Sequence, residues 1–344
     1  MKINLILLIV SSIFTQAVQA QSVYQNVYNL VNKDKLVQVL KEMTGVVPVT
    51  ISGEQLTLSN RYSSEAKANY RKYWTRYFQN LGMNVQEFGY KTAHTRIESQ
   101  GHNLEAVLPG LSDDSIVIIV HYDSIGQSGH ETENPGTDDD MTGMAVSLET
   151  ARILAPLAGK LKYTVRFVAA DFEEWASPGL EGARVYAKYI QALAKQKGFK
   201  IIAAVDNEQI GWSGGDQGKT VDIFSCSKGF GGKKYDFKAI GDALETIATQ
   251  FSKMKTKRDC MGENSDHFAM WEIGVPAVVY SEHNPFANPH FDQNGGDTFE
   301  KIDQDYFFNI AKIGVTFATT LAGMPNADFD LPPSMNLLTF FQAP

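Results

Sequence analysis

Cysteine is scarce in this sequence, which has only Cys226 and Cys260 among its 344 residues. Two thiols are too few for a zinc site built mainly of cysteine, so that class of metal site is excluded. Export would allow a disulfide between them, and two separate thiols fit the sequence equally well.

Basic residues are also few, because 31 lysines and arginines stand against 39 aspartates and glutamates and give a formal net charge of −8. Proteins that bind nucleic acid usually carry a basic patch. We therefore expect no nucleic-acid partner.

Long apolar runs are missing outside the N-terminus. The stretch INLILLIVSSIF, which follows Lys2, is shorter than the roughly 20 residues of a membrane span and is typical of a signal peptide. Small residues at Val18 and Ala20 predict cleavage after Ala20. We expect residues 1–20 to be a signal peptide, the mature protein to be secreted or periplasmic, and no stable membrane anchor to remain.

The rest of the sequence predicts one domain over residues 21–325 and a C-terminal tail over residues 326–344. Apolar, β-branched runs such as SIVIIVH, YTVRFVAA, KIIAAV and VPAVVY alternate with helical stretches. Strands of this kind are buried on both faces, and their alternation with helices is typical of parallel sheets. We expect an α/β three-layer sandwich with helices on both faces of a mainly parallel mixed sheet.

Acidic residues and histidines follow the apolar runs, at the sheet edge where open α/β folds bind ligands. They fall at residues 121–123, 171–174, 206–208 and 281–283. One such group alone is usually a solvated turn, but four groups at one predicted edge indicate a site. Imidazole and carboxylate side chains without thiolate suit one or two zinc ions.

Two runs of adjacent acids are candidates for the chemistry. Of the pair Glu173 and Glu174, one carboxylate can bind metal while the other takes a proton from water. Three consecutive aspartates, residues 138–140, precede an apolar helix, and the third is expected to cap it.

Five segments in this order resemble the M28 family of co-catalytic zinc aminopeptidases. They are VIIVHYDS, PGTDDDMTG, DFEEWASPGLEGARVY, NSDHFAMWEIGVPAV and GGDTFEKID. The resemblance covers most of the mature chain. It implies a hydrolase with two zinc ions that removes N-terminal residues from peptides with a free amino terminus, using a metal-bridging water.

The resemblance also implies roles for individual residues. His121, Asp138 and Glu174 are expected to bind metal, with Asp138 bridging the two ions. Glu173 is expected to be the general base, and Asp123 to orient the His121 ring. Supporting positions around the metals are expected for Asp139, Asp266 and His267.

Two positions differ from the family pattern. Glu208 occupies the place of a ligand aspartate, and Asp206 is the alternative if the backbone is shifted by two residues. Asp292 occupies the place of a ligand histidine, and the neighbouring His290 is the alternative ligand.

Three other functions compete with the aminopeptidase. A glutaminyl-peptide cyclotransferase has the same fold with a single zinc ion and keeps the glutamate pair. A serine hydrolase is suggested by GWSGG at residues 211–215, but a loop-forming sequence follows where the nucleophile elbow needs a helix. The presence of His121, Asp138, Glu173 and Glu174 together argues against a secreted binding module that has lost its metals.

Overall fold

The computed structural model describes residues 23–126, 130–175, 179–214, 216–227, 233–261, 264–290 and 296–324. The predicted signal peptide and C-terminal tail lie outside these residues. Within the described ranges, no helix is both long enough and apolar enough to cross a bilayer.

An eight-stranded mixed sheet forms the centre of the fold, and two further short strands pair separately. The strands are β1 (Val49–Ile51), β2 (Glu54–Leu56), β3 (Asn84–Tyr90), β4 (Gly101–Leu108), β5 (Ser112–His121), β6 (Tyr163–Ala170), β7 (Ile201–Asn207), β8 (Thr220–Ser227), β9 (Lys255–Met261) and β10 (Ala277–Glu282). The order across the large sheet is β3-β4-β6-β5-β7-β10-β8-β9.

The middle of this sheet is parallel, because β5 pairs in parallel with β6 and β7, and β7 does so with β10. The pairs β3–β4, β4–β6 and β8–β10 are antiparallel, and β8–β9 is parallel. The predicted mixed sheet with a mainly parallel centre is confirmed. The carboxyl ends of β5, β6, β7 and β10 therefore meet at one edge.

Helices cover both faces of the sheet. They are α1 (Lys33–Met43), α2 (Ser64–Asn80), α3 (Gly143–Leu154), α4 (Glu181–Lys197), α5 (Lys238–Phe251), α6 (His267–Glu272) and α7 (Gln304–Ala322). One core joins the sheet to α1, α2, α3, α5 and α7. A second core joins it to α4 and α6. The two cores and the sheet make the predicted three layers.

The sequence of β5 explains why the sheet is buried on both sides. Ile116, Ile118 and Val120 belong to the first core, whereas Val117 and Ile119 belong to the second. Successive side chains of a strand point to opposite faces, so a strand that is apolar at every position must be covered twice.

Helix α2 begins at a serine cap and places its aromatic residues in the first core. The Ser63 hydroxyl accepts a hydrogen bond from the Ala66 amide at 3.2 Å. Tyr70, Trp74 and Phe78 follow at four-residue spacing and are fully buried. Lys67, one turn before Tyr70, lies on this same buried side.

The two cysteines form a disulfide, with their Cα atoms 4.7 Å apart. Cys226 lies in β8 and Cys260 in β9, so the bond links the outermost strand of the sheet to its neighbour. A disulfide stabilises a fold mainly by restricting the unfolded chain. Bonds of this kind are characteristic of exported proteins.

Candidate active site

His121 is the central side chain of the edge formed by the parallel strands. It ends β5 and is completely buried. Its Nε2 lies 3.0 Å from Asp139 Oδ1 and 3.9 Å from Glu208 Oε1. One donor atom from each of His121, Asp139 and Glu208 lies within 4.8 Å of the others, which is close enough for one metal ion. We call these three residues the donor triad.

Asp139, rather than Asp138, faces His121, whereas the sequence predicts that Asp138 bridges the metal ions. The Oδ2 atom of Asp139 accepts a hydrogen bond from Gln209 Nε2 at 2.6 Å. Its backbone amide donates to Asp297 Oδ2 at 2.9 Å. The peptide bond between Asp139 and Asp140 is cis. Gln209 thus holds the Asp139 carboxylate, and Asp297 holds the Asp139 backbone.

Asp138 points into a separate buried network. Its carboxylate accepts hydrogen bonds from the Gly211 amide at 2.7 Å and from Asn288 Nδ2 at 3.1 Å. Burial raises the pKa of Asp138 to about 6, although hydrogen bonds from Glu282 and Gly211 act to lower it. Burial also raises the pKa of Glu282 well above its usual value. Asp138 is therefore engaged by its own partners away from His121.

The third aspartate of the run has the role that its position predicts. Asp140 Oδ1 accepts a hydrogen bond from the Gly143 amide at 3.0 Å, in the first turn of α3. It also accepts one from the Gln209 amide at 3.3 Å. The three consecutive acids thus have three different surroundings.

Glu208 follows β7 directly and completes the donor triad. Its Oε2 accepts a hydrogen bond from the Ser265 hydroxyl at 2.7 Å. Burial and the charge of Asp139 raise the pKa of Glu208 to about 8, against an opposing effect of His121. Asp206 lies two residues earlier; its Oδ2 accepts from the His267 amide at 2.9 Å and shares the Ser265 hydroxyl with Glu208. Of the two candidates, the structure places Glu208 beside His121.

Asp123 holds the glutamate pair in place. Its Oδ1 accepts from the Glu173 amide at 3.0 Å and its Oδ2 from the Glu174 amide at 3.4 Å. Oδ1 also lies 3.6 Å from Nδ1 of His121. One carboxylate therefore connects the imidazole to the segment that carries both glutamates.

Glu173 and Glu174 line one cavity together with Asp139 and Glu208. Burial raises the pKa of Glu173 well above its usual value; the charge of His121 lowers it, and that of Glu208 raises it further. A carboxylate with a raised pKa beside potential metal ligands is suited to accept a proton.

Asp266 and His267 are buried at the start of α6, close to Asp206. Asp266 is fully buried, and neither carboxylate oxygen has a hydrogen-bond partner among the described residues. Burial raises the pKa of Asp266 well above its usual value, and the charge of Asp206 adds to this increase. The His267 ring lies 3.2 Å from Asp206 and packs edge-on against Trp271. So many buried carboxylates in one place favour binding of a cation.

The last predicted ligand is only partly described. His290 is half-buried, and its amide donates to the Asn288 side chain at 2.9 Å. It does not belong to the donor triad. Asp292 lies outside the described residues, so its role as a ligand stays a prediction.

Two residues of the site are not recognisable from the sequence. Gln209 bonds to Asp139, and its position directly after Glu208 at a strand end was the only available signal. Arg61 is completely buried, and its guanidinium donates to the carbonyl oxygens of Tyr122, Pro135 and Gly136. It therefore fixes the turn that leads to the aspartates.

Loss of this guanidinium is expected to destabilise the protein. Arg61→Met would leave the Tyr122 and Pro135 carbonyl groups without this donor, at a cost of roughly 1–3 kcal/mol for each unsatisfied group. We expect the melting temperature in calorimetry to fall by about 5–10 °C. Arg76→Met, at an exposed position of α2, is the control and should shift it little. Equal shifts in the two variants would contradict the role given to Arg61.

The raised pKa of Glu208 also predicts how stability depends on pH when metal is removed. A carboxyl group whose pKa rises from 4.5 to about 8 on folding binds its proton more tightly in the folded state. Chelated protein should therefore lose stability as the pH rises from about 6 to 8. Urea unfolding at several pH values measures this, and Glu208→Gln should flatten the slope. Stability that rises with pH over this range would contradict the assignment.

A family model describes much of this chain. The model of peptidase family M28 matches residues 103–318, which include the donor triad and both glutamates. The chain belongs to peptidase family M28. Among curated relatives, leucine aminopeptidase 1 of Trichophyton rubrum is 28% identical over 255 residues, covering 69% of this chain and 62% of that protein. A probable zinc metalloprotease of Pyrenophora tritici-repentis is 27% identical over 259 residues, covering 65% and 52%.

The M28 chain thus spans less than two thirds of the length of these curated relatives. Solved structures share its fold at low identity. The LapA aminopeptidase of Legionella pneumophila has a TM-score of 0.67 and 18% identity, covering 88% of this chain and 75% of that one. A glutaminyl cyclase of Macrostomum lignano has a TM-score of 0.67 and 20% identity, covering 88% and 93%. Fold similarity therefore extends to both aminopeptidases and cyclases.

Proposed function

We propose that this protein is a zinc aminopeptidase that removes N-terminal residues from peptides. The observation that carries the proposal is the donor triad of His121, Asp139 and Glu208 in contact with the cavity that Glu173 and Glu174 line. Membership of family M28 and the leucine aminopeptidases among its relatives support this activity.

The residues present fit zinc. One imidazole nitrogen and several carboxylate oxygens are ordinary zinc donors. The unpartnered carboxylate of Asp266 and the raised pKa of Glu208 both indicate a site that needs added positive charge. His121, Asp139, Glu174 and Glu208 would hold the metal. Zinc supplies polarisation of the substrate carbonyl and lowers the pKa of water.

The chain's own residues then perform the remaining steps. Glu173 takes a proton from the attacking water and can deliver it to the leaving amine nitrogen. Asp123 keeps the Glu173 and Glu174 backbone in place through its two hydrogen bonds. The surplus of carboxylates around the cavity can bind the ammonium group of the substrate. This last feature accounts for a preference for free amino termini.

We also propose that the enzyme is exported. The signal-like N-terminal sequence and the Cys226–Cys260 disulfide support this location. Comparing the N-terminus of protein recovered from outside the cytoplasm with the sequence around Ala20 tests it. Full-length protein retained in the cytoplasm would contradict it.

Glutaminyl cyclisation is the second candidate, because the donor triad defines a place for one ion and cyclases share the fold. Purified protein should be assayed on aminoacyl-anilides and on a peptide with N-terminal glutamine, with its zinc content measured in parallel. Anilide hydrolysis with about two zinc ions per chain supports the aminopeptidase. One zinc ion with pyroglutamate formation alone supports the cyclase, and a protein that binds no zinc contradicts both.

A further inference from the structure

Lys67 is a buried lysine whose ammonium group lies between two buried carboxylates. Only 1% of its surface is exposed. Its Nζ lies 2.7 Å from Glu98 Oε2 and 2.9 Å from Asp171 Oδ1. The same ammonium lies 3.6 Å from the centre of the Phe172 ring. Burying a charge costs several kcal/mol unless its partners are well placed, so these contacts fix Lys67 and its partners relative to one another.

Two of these partners directly precede Glu173 in the chain. The Asp171 carboxylate accepts hydrogen bonds from the amides of His102 and Phe172, each at 3.0 Å. Phe172 has a φ angle of +57°, in the left-handed region that costs a bulky residue about 1–3 kcal/mol. The surroundings must therefore hold this conformation. The ring contact with Lys67 and the Asp171 bonds are the interactions placed to do so.

The next two residues are held from the other side. Asp123 accepts the amides of Glu173 and Glu174, as described above. The segment 171–174 is thus fixed at its first half by Lys67 and at its second half by Asp123. Because adjacent residues share their backbone geometry, a change at Asp171 or Phe172 alters the direction in which Glu173 points.

We propose that Lys67 is a positioning residue for catalysis, acting through Asp171 and Phe172 on the general base Glu173. The inference rests on the proposed function for its effect on turnover. This positioning role differs from a purely structural role, in which the loss of Lys67 would lower the stability of the protein and leave the geometry of the glutamate pair unchanged.

Lys67→Met, which keeps an unbranched side chain and removes the charge, tests this. We expect kcat on an aminoacyl-anilide to fall by about 10–100-fold, because a shift of about 1 Å in a reacting group can have that effect. KM should change less than about threefold and the zinc content should not change, because Lys67 contacts neither substrate nor metal ligands. Wild-type kcat in this variant would overturn the proposal.

Arg166→Met is the matched control. Arg166 is buried, pairs with Glu105 at 2.9 Å, and lies in β6, the strand that leads to Asp171. Both variants remove the cation of a buried ion pair: Lys67 in α2 pairs with Asp171, directly after β6, and Arg166 in β6 pairs with Glu105 of β4. At a temperature where both are folded, only Lys67→Met should lose turnover. Equal losses would show that stability alone explains the effect and would overturn the proposal.

Hydrogen exchange provides a second measurement that does not depend on activity. Amides of residues 172–175 should exchange faster in Lys67→Met than in the wild type or in Arg166→Met. Unchanged exchange in this segment would overturn the proposal even if turnover fell.

If Lys67→Met does not fold, Phe172→Leu removes the ring contact and should show the same faster exchange and lower kcat. A wild-type protein without activity would instead contradict the proposed function, while the exchange comparison would still test Lys67.

Discussion

Asp139→Asn is expected to lower zinc affinity by more than about 100-fold and to abolish measurable turnover, since even residues that only support a ligand contribute 10–100-fold. Its carboxylate lies 3.0 Å from His121 Nε2 and belongs to the donor triad. Asparagine keeps the shape and removes the negative charge. Competition with a chromophoric zinc chelator measures the affinity, and anilide hydrolysis measures the turnover.

Asp138→Asn is the matched control, because it makes the same change one residue earlier. Asp138 accepts hydrogen bonds from Gly211 and Asn288, and an amide oxygen can still accept. We expect zinc affinity close to that of the wild type in this variant. Zinc loss in Asp138→Asn together with normal binding in Asp139→Asn would restore the bridging role to Asp138.

Glu173→Gln is expected to lower kcat by about 10²–10⁴-fold while leaving the zinc content unchanged. Glutamine keeps the volume of the side chain and cannot take a proton from water. The amide of residue 173 would still donate to Asp123, so the backbone should stay in place. Steady-state kinetics and metal analysis of the same preparation measure both quantities.

Glu174→Gln is the corresponding variant of the neighbouring acid. Its amide also bonds to Asp123, so the two substitutions disturb the backbone equally little. We expect this variant to lose zinc as well as activity. If zinc were lost from Glu173→Gln and retained in Glu174→Gln, the two glutamates would have exchanged roles.

The fold could be predicted because its signals are local and repeated. Continuous apolar strands such as β5 require cover on both faces, and the helices between them supply it. Parallel strands bring their carboxyl ends to one edge, so the residues after each run could be placed together without coordinates. The structure accordingly brings His121, Glu173, Glu174 and Glu208 to that edge.

The direction of individual side chains within the aspartate run could not be predicted. Asp139 and Asp140 have φ and ψ angles that fit neither a helix nor a regular strand. Side-chain alternation is a rule of regular strands, and it gives no direction for an irregular turn. Family motifs identify the run but leave a choice between adjacent acids.

Long-range partners were equally inaccessible to sequence patterns. Arg61 lies 75 residues before Gly136, the carbonyl that its Nη2 contacts. Lys67 lies 104 residues before Asp171. Arg61 lies just before α2 and Lys67 lies near its start, where the sequence predicts an amphipathic helix. Only the fold shows that Arg61 contacts the turn before the aspartates and that Lys67 contacts the residue two positions before Glu173.

Anomalous X-ray diffraction at the zinc absorption edge, from crystals of the full chain, tests the central claim most directly. We predict a strong anomalous peak within about 2.0–2.2 Å of His121 Nε2 and of an Asp139 carboxylate oxygen. A peak coordinated by Asp138 in place of Asp139, or a zinc-soaked crystal without a peak beside His121, would contradict the account.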